Sequence, residues 1–135
     1  AMARHGLSPR ILTGNFEEET GTAAALQLIA DAERADALFA ANDMMAIGAM
    51  VAFQRAGLAV PDDIAVAGFD DIPLARFVTP ALSTMRVGIA EIGAEAVSRI
   101  AAILAGETDT DVRRIVPQII ARASTLAKTE KGRQL

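Results

Sequence analysis

Hydrophobic positions along the chain follow two alternating patterns: short unbroken apolar runs, and longer stretches with helical spacing. The short runs predict strands at residues 10–15, 36–42, 64–67, 82–87 and 113–124. The stretches with helical spacing predict helices at residues 17–34, 44–57 and 89–106, with 1–6 as the end of another helix. Strands that alternate with helices through short turns predict an α/β fold with a doubly wound, mostly parallel sheet.

The most strongly amphipathic segment is the predicted helix at 89–106. Aliphatic residues line one of its faces, and charged residues lie on the other. The two sets are Ile89, Ile92, Ala96, Ile100 and Ile103, and Glu91, Glu95 and Arg99. A helix with this pattern needs an apolar surface to cover its aliphatic face.

Composition narrows the classes of protein that this chain can represent. Its 135 residues suit a single domain, and a hydrophobic content of 52% against 22% charged residues argues against disorder. The chain has no Cys and a single His, His5, so we expect no disulfide, no metal site and no cofactor. A net charge of −4 argues against direct contact of this chain with nucleic acid. No apolar run reaches the roughly 18 residues of a membrane span.

Three polar clusters directly follow predicted strands, at residues 14–16, 42–43 and 70–71. Ligands of doubly wound sheets bind beyond the carboxyl ends of the strands, so the clusters predict one binding rim. The chain has no phosphate-binding loop, no nucleophile elbow and no Ser, His and acid set. We therefore expect a binding protein without enzymatic activity.

Each cluster also has an ordinary structural interpretation, and the residues alone leave both interpretations open. Asn42 has an amide that suits a hydroxylated ligand, while Asp43 is a candidate N-cap of the following helix. Asp70 lies nearer the strand and fits a ligand role, whereas Asp71 fits a turn that bonds its own backbone. Phe16 is either a platform for one face of a ligand ring or a hydrophobic staple under the next helix.

Four segments resemble one family of bacterial regulators when they are taken together with their spacing. They are ANDMMAIGAM (41–50), GLAVPDDIAVAGFDD (57–71), PALSTMR (80–86) and IVPQIIARAST (115–125). In this combination they resemble the effector-binding core of the lactose-repressor/purine-repressor family, and the resemblance covers residues 16–125. It implies a two-lobed fold like that of periplasmic sugar-binding proteins, with the effector bound between the lobes.

The resemblance also implies roles for the rim residues. Asp70 and Asn42 match the effector-contacting Asp and Asn of the family, and Phe16 matches the aromatic residue that packs on the ligand. The implied function is ligand sensing and dimerisation in a cytoplasmic transcriptional repressor, with a sugar as the expected effector. Operator DNA would be bound by a helix-turn-helix that these 135 residues do not include. A periplasmic solute-binding protein of an uptake system, which has the same fold, is the alternative.

The resemblance implies that the chain is a truncated piece of a longer protein. Residues 1–81 and 113–125 would form the C-terminal lobe, and 126–135 would be a flexible tail. Residues 82–112 would be the crossover strand and helix of an N-terminal lobe that is missing from this sequence. We therefore expect helix 89–104 to be uncovered, and to dock on or swap with a second copy of the chain.

Family members also dimerise through the C-terminal lobe. This makes Ile47, Met50 and Val51, on the helix that follows Asp43, candidate residues of a homodimer interface. Burial of the same residues in the core of the chain is the alternative interpretation.

Overall fold

Helices and strands alternate along the chain, as the hydrophobic pattern predicts. The computed structural model describes residues 2–33, 35–108 and 112–126. The α-helices are α1 (Glu18–Ala30), α2 (Asp43–Arg55) and α3 (Ile89–Leu104), and short 3₁₀ helices span Met2–His5 and Pro73–Arg76. The strands are β1 (Ala37–Phe39), β2 (Ala65–Ala67), β3 (Thr84–Arg86) and β4 (Gln118–Ile120). The predicted α/β class is confirmed, although each strand is shorter than its apolar run.

The described strands form two pairs, one parallel and one antiparallel, which isolated bridges connect. β1 pairs with β2 in parallel, with Leu38 opposite Val66. Parallel bridges at Ala67–Ser83 and Asp70–Arg86 continue the order from β2 towards β3. β4 pairs with β3 in the antiparallel sense. The mostly parallel arrangement brings the carboxyl ends of β1 and β2 to the same edge.

The strand predicted at 10–15 does not form, and this prediction is wrong. Residues 7–15 contain neither helix nor strand. A short β-branched run becomes a strand only when it has ladder partners, and β1 pairs with β2 alone. Asn15 instead folds towards the start of α1, where its Oδ1 accepts hydrogen bonds from the Glu17 amide at 3.1 Å and the Thr20 hydroxyl at 3.0 Å.

The core lies between α1, α2 and the sheet, and two glycines set how closely the helices approach. A Cβ added to Gly48 would collide with the carbonyl oxygen of Glu18, and one added to Gly21 would collide with the backbone of Met45. The Thr22 hydroxyl donates to the Gly48 carbonyl across this crossing at 3.2 Å. The close approach lets the core fill with mainly aliphatic residues, including Ala25, Leu28, Met50, Phe53, Val66 and Leu82.

The three candidate interface residues on α2 differ in their exposure to solvent. Ile47 is 8% exposed and Met50 is 2% exposed, so both lie in the core of this chain. Their burial matches the alternative that the sequence left open. Val51 is 39% exposed and remains available on the surface of α2.

Helix α3 stands apart from this core, and none of its residues is buried. Its aliphatic face is open to solvent at Ile89, Ile92, Ile100 and Ile103. Arg113 holds the helix to the segment that follows it through a hydrogen-bonded ion pair to Glu95 at 2.6 Å. Within the described part of the chain, neither α3 nor any other helix is long and apolar enough to cross a membrane. The tail predicted at 126–135 lies outside the described residues except for Leu126.

We expect Gly48→Ala to destabilise the chain by about 1 to 3 kcal/mol, because the added methyl group meets a backbone carbonyl that cannot move independently of α1. The measurement is the free energy of unfolding in urea. Gly93→Ala is the matched control, because a Cβ at this helical position meets nothing within 4 Å. We expect the control to be neutral or stabilising by up to about 1 kcal/mol. Equal losses in the two variants would show that the helix crossing is not constrained at Gly48.

Candidate ligand-binding site

The predicted rim residues come from different parts of the chain and meet at the carboxyl ends of the strands. Phe16 and Asn42 are joined directly, because the Asn42 side-chain amide donates to the Phe16 carbonyl at 2.7 Å. Asp43 is joined to the residue that follows Asp70 and Asp71, because its Oδ2 accepts from the Ile72 amide at 2.9 Å. The structure therefore connects the three clusters that the sequence places at separate strand ends.

Asn42, rather than Asp43, is the N-cap of α2, so the prediction that Asp43 is the cap is wrong. Asn42 has an extended backbone (φ −150°, ψ 172°), and its Oδ1 accepts from the Met45 amide at 2.9 Å. This is the cap geometry that satisfies a free amide of the first helical turn. A side-chain amide has two N–H groups and an oxygen with two lone pairs. One N–H and one lone pair of Asn42 therefore stay available for a ligand.

Asp43 instead forms a fully buried polar contact beneath the rim. Its side chain has no exposed surface, its Oδ1 accepts from the Thr84 hydroxyl at 2.5 Å, and its Oδ2 accepts from the Ile72 amide at 2.9 Å. Gly68 lies against the same carboxylate, where a side chain would collide with Oδ1. Asp43 therefore ties the start of α2 to the rim turn and to β3.

Sequence reasoning missed this role of Asp43, although a signal for it existed. Ser83 and Thr84 place two hydroxyl groups side by side in the predicted strand at 82–87. Buried hydroxyl groups are found where they have hydrogen-bond partners, so this pair predicts a polar network inside the sheet. The sequence did not indicate which residues complete it.

The C-terminal segment ARAST (121–125) supplies other partners of this network. The Ser124 hydroxyl donates to the Val66 carbonyl at 2.6 Å and accepts from the Ser83 amide at 2.8 Å. The Ser83 hydroxyl in turn donates to the Arg122 carbonyl at 2.9 Å. Ser124 thereby links β2 to the segment that leads into β3, which explains why a polar residue is fully buried there.

Asp71 does more than end a strand, which extends the turn role that the sequence favoured. Its backbone is left-handed (φ 55°), as expected of a turn residue. Its side chain is only 3% exposed and forms ion pairs with Arg122 at 2.5 Å and Arg86 at 2.7 Å. Burial raises the pKa of this carboxyl, but the hydrogen bonds and charges of the two guanidinium groups outweigh burial and hold the pKa below its usual value.

Asp70 has the opposite environment from its neighbour. Its amide donates to the Met85 carbonyl at 2.9 Å, but its carboxylate receives no hydrogen bond or ion pair from any described residue. Partial burial and, secondarily, the charge of Asp43 raise the pKa of Asp70 above its usual value. A half-buried carboxylate without a protein partner is suited to accept hydrogen bonds from a ligand.

Backbone strain coincides with the same rim. Phe16, Asp70 and Asp71, with φ values of 69°, 109° and 55°, are the residues other than glycine that have positive φ in the described chain. Such conformations are sparsely populated and tend to occur at binding sites. Phe16 is 64% exposed, so it does not act as a buried staple under α1.

Fold and rim together define a class of protein: an α/β lobe of the periplasmic-binding-protein type, with a polar rim at the ends of parallel strands. Residues 1–125 match the model of the periplasmic binding protein-like domain. The chain is 47% identical to the lactose operon repressor of Rhizobium radiobacter over 106 residues, covering 78% of this chain and 94% of that protein. It is 34% identical to the transcriptional regulator AscG of Escherichia coli over 130 residues, covering 94% of this chain and 39% of AscG.

Solved structures agree with these relatives. A LacI-family regulator from Arthrobacter, solved in complex with lactose, superposes with a TM-score of 0.82 at 29% identity, over 93% of this chain and 47% of that one. The chain belongs to the lactose-repressor (LacI) family, and it spans less than half the length of AscG and of the Arthrobacter structure. The family resemblance read from the four segments is therefore confirmed. Because these relatives are transcriptional regulators, they favour a regulator over the uptake-system alternative.

We expect Thr84→Val to destabilise the chain by about 1 to 3 kcal/mol, because it leaves one oxygen of the buried Asp43 carboxylate without its donor. The measurement is the midpoint of thermal or urea unfolding. Thr84→Ser keeps the hydroxyl and loses only a methyl group, so we expect it to cost no more than about 1 kcal/mol. A Val variant as stable as the Ser variant would show that the hydroxyl does not support Asp43.

Proposed function

We propose that this chain is the ligand-sensing and dimerising part of a DNA-binding transcriptional repressor. In this proposal a small effector binds at the rim formed by Asp70, Asn42 and Phe16. The observation that carries the proposal is the Asp70 carboxylate, which is half-buried at a strand end without a partner among the described residues.

A sugar is the ligand class that best fits the chemistry of the rim. A carboxylate accepts two hydrogen bonds from neighbouring hydroxyl groups, and the free N–H and lone pair of Asn42 can donate and accept. The exposed Phe16 ring offers an apolar surface to one face of a pyranose. The relatives support this class, since one is named a lactose operon repressor and another structure contains lactose.

The proposed division of the chain follows from where the site lies. Residues 1–81 and 113–125 carry the rim and would form one lobe, and residues 82–112 would cross to a second lobe. The effector would bind between the lobes and stabilise one of their arrangements. A ligand shifts such an equilibrium only by its differential affinity for the two states. That shift would change operator affinity through a helix-turn-helix outside these 135 residues, in the cytoplasm where the DNA lies, and the rim itself would catalyse no reaction.

A homodimer surface is proposed around the exposed part of α2. Val51 is the candidate that stays exposed, and Leu74 and Phe77 in the segment after the rim are also exposed. The Gln54 side chain, one turn after Val51, donates to the Thr79 carbonyl at 2.5 Å and so holds this segment beside α2. Three exposed apolar side chains on adjoining elements are compatible with a small interface.

A second proposed contact is made by α3, with a second copy of the chain as its partner. The aliphatic face of α3 is uncovered. Covering apolar surface contributes about 25 cal/mol per Å². Because the face has the same composition in each copy, two α3 helices can pack on each other or exchange places.

In the intact repressor we expect Asp70→Ala to abolish effector binding while the protein still folds. A thermal-shift screen of lactose, cellobiose and a purine base first identifies a ligand, since a bound ligand raises the apparent stability. Calorimetry then compares the wild type with Asp70→Ala. Asp62→Ala is the control, because it removes the same charge from an exposed position. Ligand affinity that is unchanged in Asp70→Ala would refute the proposed role.

We expect Ile100→Glu to reduce self-association of this chain, because it places a charge on the proposed contact face of α3. Sedimentation velocity over a concentration series measures the association. Ser98→Glu adds the same charge to an exposed position off that face and should leave association unchanged. Val51→Glu, tested in the same series, reports on the α2 surface. A wild-type chain that stays monomeric at high concentration would contradict both contacts.

A further inference from the structure

The turn at Asp70–Asp71 is unusual because two consecutive residues other than glycine have positive φ. The angles are 109° at Asp70 and 55° at Asp71. The first lies outside the small left-handed region that L-residues tolerate, and the second lies within it. Residues in such conformations persist only when the surrounding structure holds them there.

The three consecutive backbone N–H groups from Asp70 to Ile72 all donate to residues outside the turn. The Asp70 amide donates to the Met85 carbonyl at 2.9 Å, and the Asp71 amide donates to the Thr84 hydroxyl at 3.3 Å. The Ile72 amide donates to the buried Asp43 carboxylate at 2.9 Å. These bonds place the turn against β3 and α2.

The side chain of Asp71 adds a stronger constraint. Its Oδ1 accepts from Arg122 at 2.5 Å, and its Oδ2 accepts from Nε of Arg86 at 2.7 Å. The same Oδ2 lies 2.7 Å from Nη2 of Arg86 in an ion pair. Arg122 is anchored in turn, since its second guanidinium nitrogen donates to the Leu82 carbonyl at 2.8 Å. Hydrogen bonds between ionised groups are roughly twice as strong as neutral ones. With the carboxylate only 3% exposed, solvent competes little for these bonds.

We propose that Asp71, Arg122 and Arg86 form an ion-pair clamp that positions Asp70. The inference rests on the proposed ligand role of Asp70. The clamp draws the Asp71 side chain inward, and the neighbouring Asp70 side chain remains at the rim in its strained conformation. Asp71 and Arg122 are therefore positioning residues for the ligand site.

The clamp also keeps the Asp70 carboxylate free of cations. Arg86 lies beside Asp70 on the adjacent strand, where a parallel bridge pairs the two residues. Its guanidinium group nevertheless pairs with the carboxylate of Asp71. An arginine that turned to Asp70 would occupy the acceptor positions that a ligand hydroxyl needs.

A stability test that needs no ligand separates the clamp from general destabilisation. Asp70→Gly and Asp70→Ala both remove the carboxylate, but only Gly adopts positive φ without strain. We expect the Gly variant to melt roughly 2 to 6 °C above the Ala variant in the wild-type background. With Arg122→Gln added, the turn can relax, and we expect this difference to disappear. A merely structural loss would lower both melting temperatures equally and leave the difference unchanged, which would overturn the proposal.

Two further variants keep the test decisive. If Arg122→Gln does not fold, Asp71→Asn removes the charge while preserving the side-chain shape, and the Gly and Ala variants are compared in that background. In the intact protein, Arg122→Gln should weaken binding of the identified sugar at least tenfold, and Arg122→Lys, which keeps the charge, should recover part of the affinity. If no sugar or purine binds the wild type, the proposed function fails, while the Gly and Ala comparison still decides whether the clamp holds the turn.

Discussion

The buried carboxylate of Asp43 is the constraint on which the arrangement of the rim depends. A charge without exposed surface is costly unless it is fully hydrogen-bonded, and no described cation pairs with Asp43. The Thr84 hydroxyl and the Ile72 amide satisfy it instead. The position of β3 and the path of the rim turn therefore follow from the position of α2. Loss of either donor would disturb the site as well as the core.

The rim has a strained backbone and an unpaired carboxylate, whereas the buried polar residues beneath it have their hydrogen bonds satisfied. Below it, Ser83, Ser124 and Asp43 use their side-chain oxygens in hydrogen bonds. At the rim, Phe16 and Asp70 have positive φ, and Asp70 lacks a partner among the described residues. This distribution is expected of a binding site, where a ligand later supplies the interactions that the protein leaves open. The stability of the lower network allows the strain at the rim to persist.

Prediction from sequence succeeded for elements with a periodic hydrophobic pattern. It failed for elements and side chains whose structure depends on pairing with distant residues. Helical spacing predicts α3, and the helix forms at Ile89–Leu104. The exposure of its aliphatic face follows from the family resemblance and not from periodicity. Residues 10–15 had strand propensity but no neighbouring strand to pair with, so no strand formed. Asn42 and Asp43 are both good N-caps, and local pattern could not decide between them. The Thr84 hydroxyl and the Ile72 amide both donate to the Asp43 carboxylate, so Asp43 is used there and Asn42 is the N-cap.

By itself the sequence determined the α/β class, the family and the set of polar residues at the strand ends, because periodicity and short motifs are local properties. Tertiary structure alone decided which distant residues pair with each of them. Asp43 meets Thr84 across 41 positions of the chain, and Asp71 meets Arg122 across 51. Adjacent acidic residues look alike in sequence, but the fold gives Asp71 two guanidinium partners and leaves Asp70 without one among the described residues. The physical reason is that burial and pairing are set by contacts between distant segments, which no local pattern records.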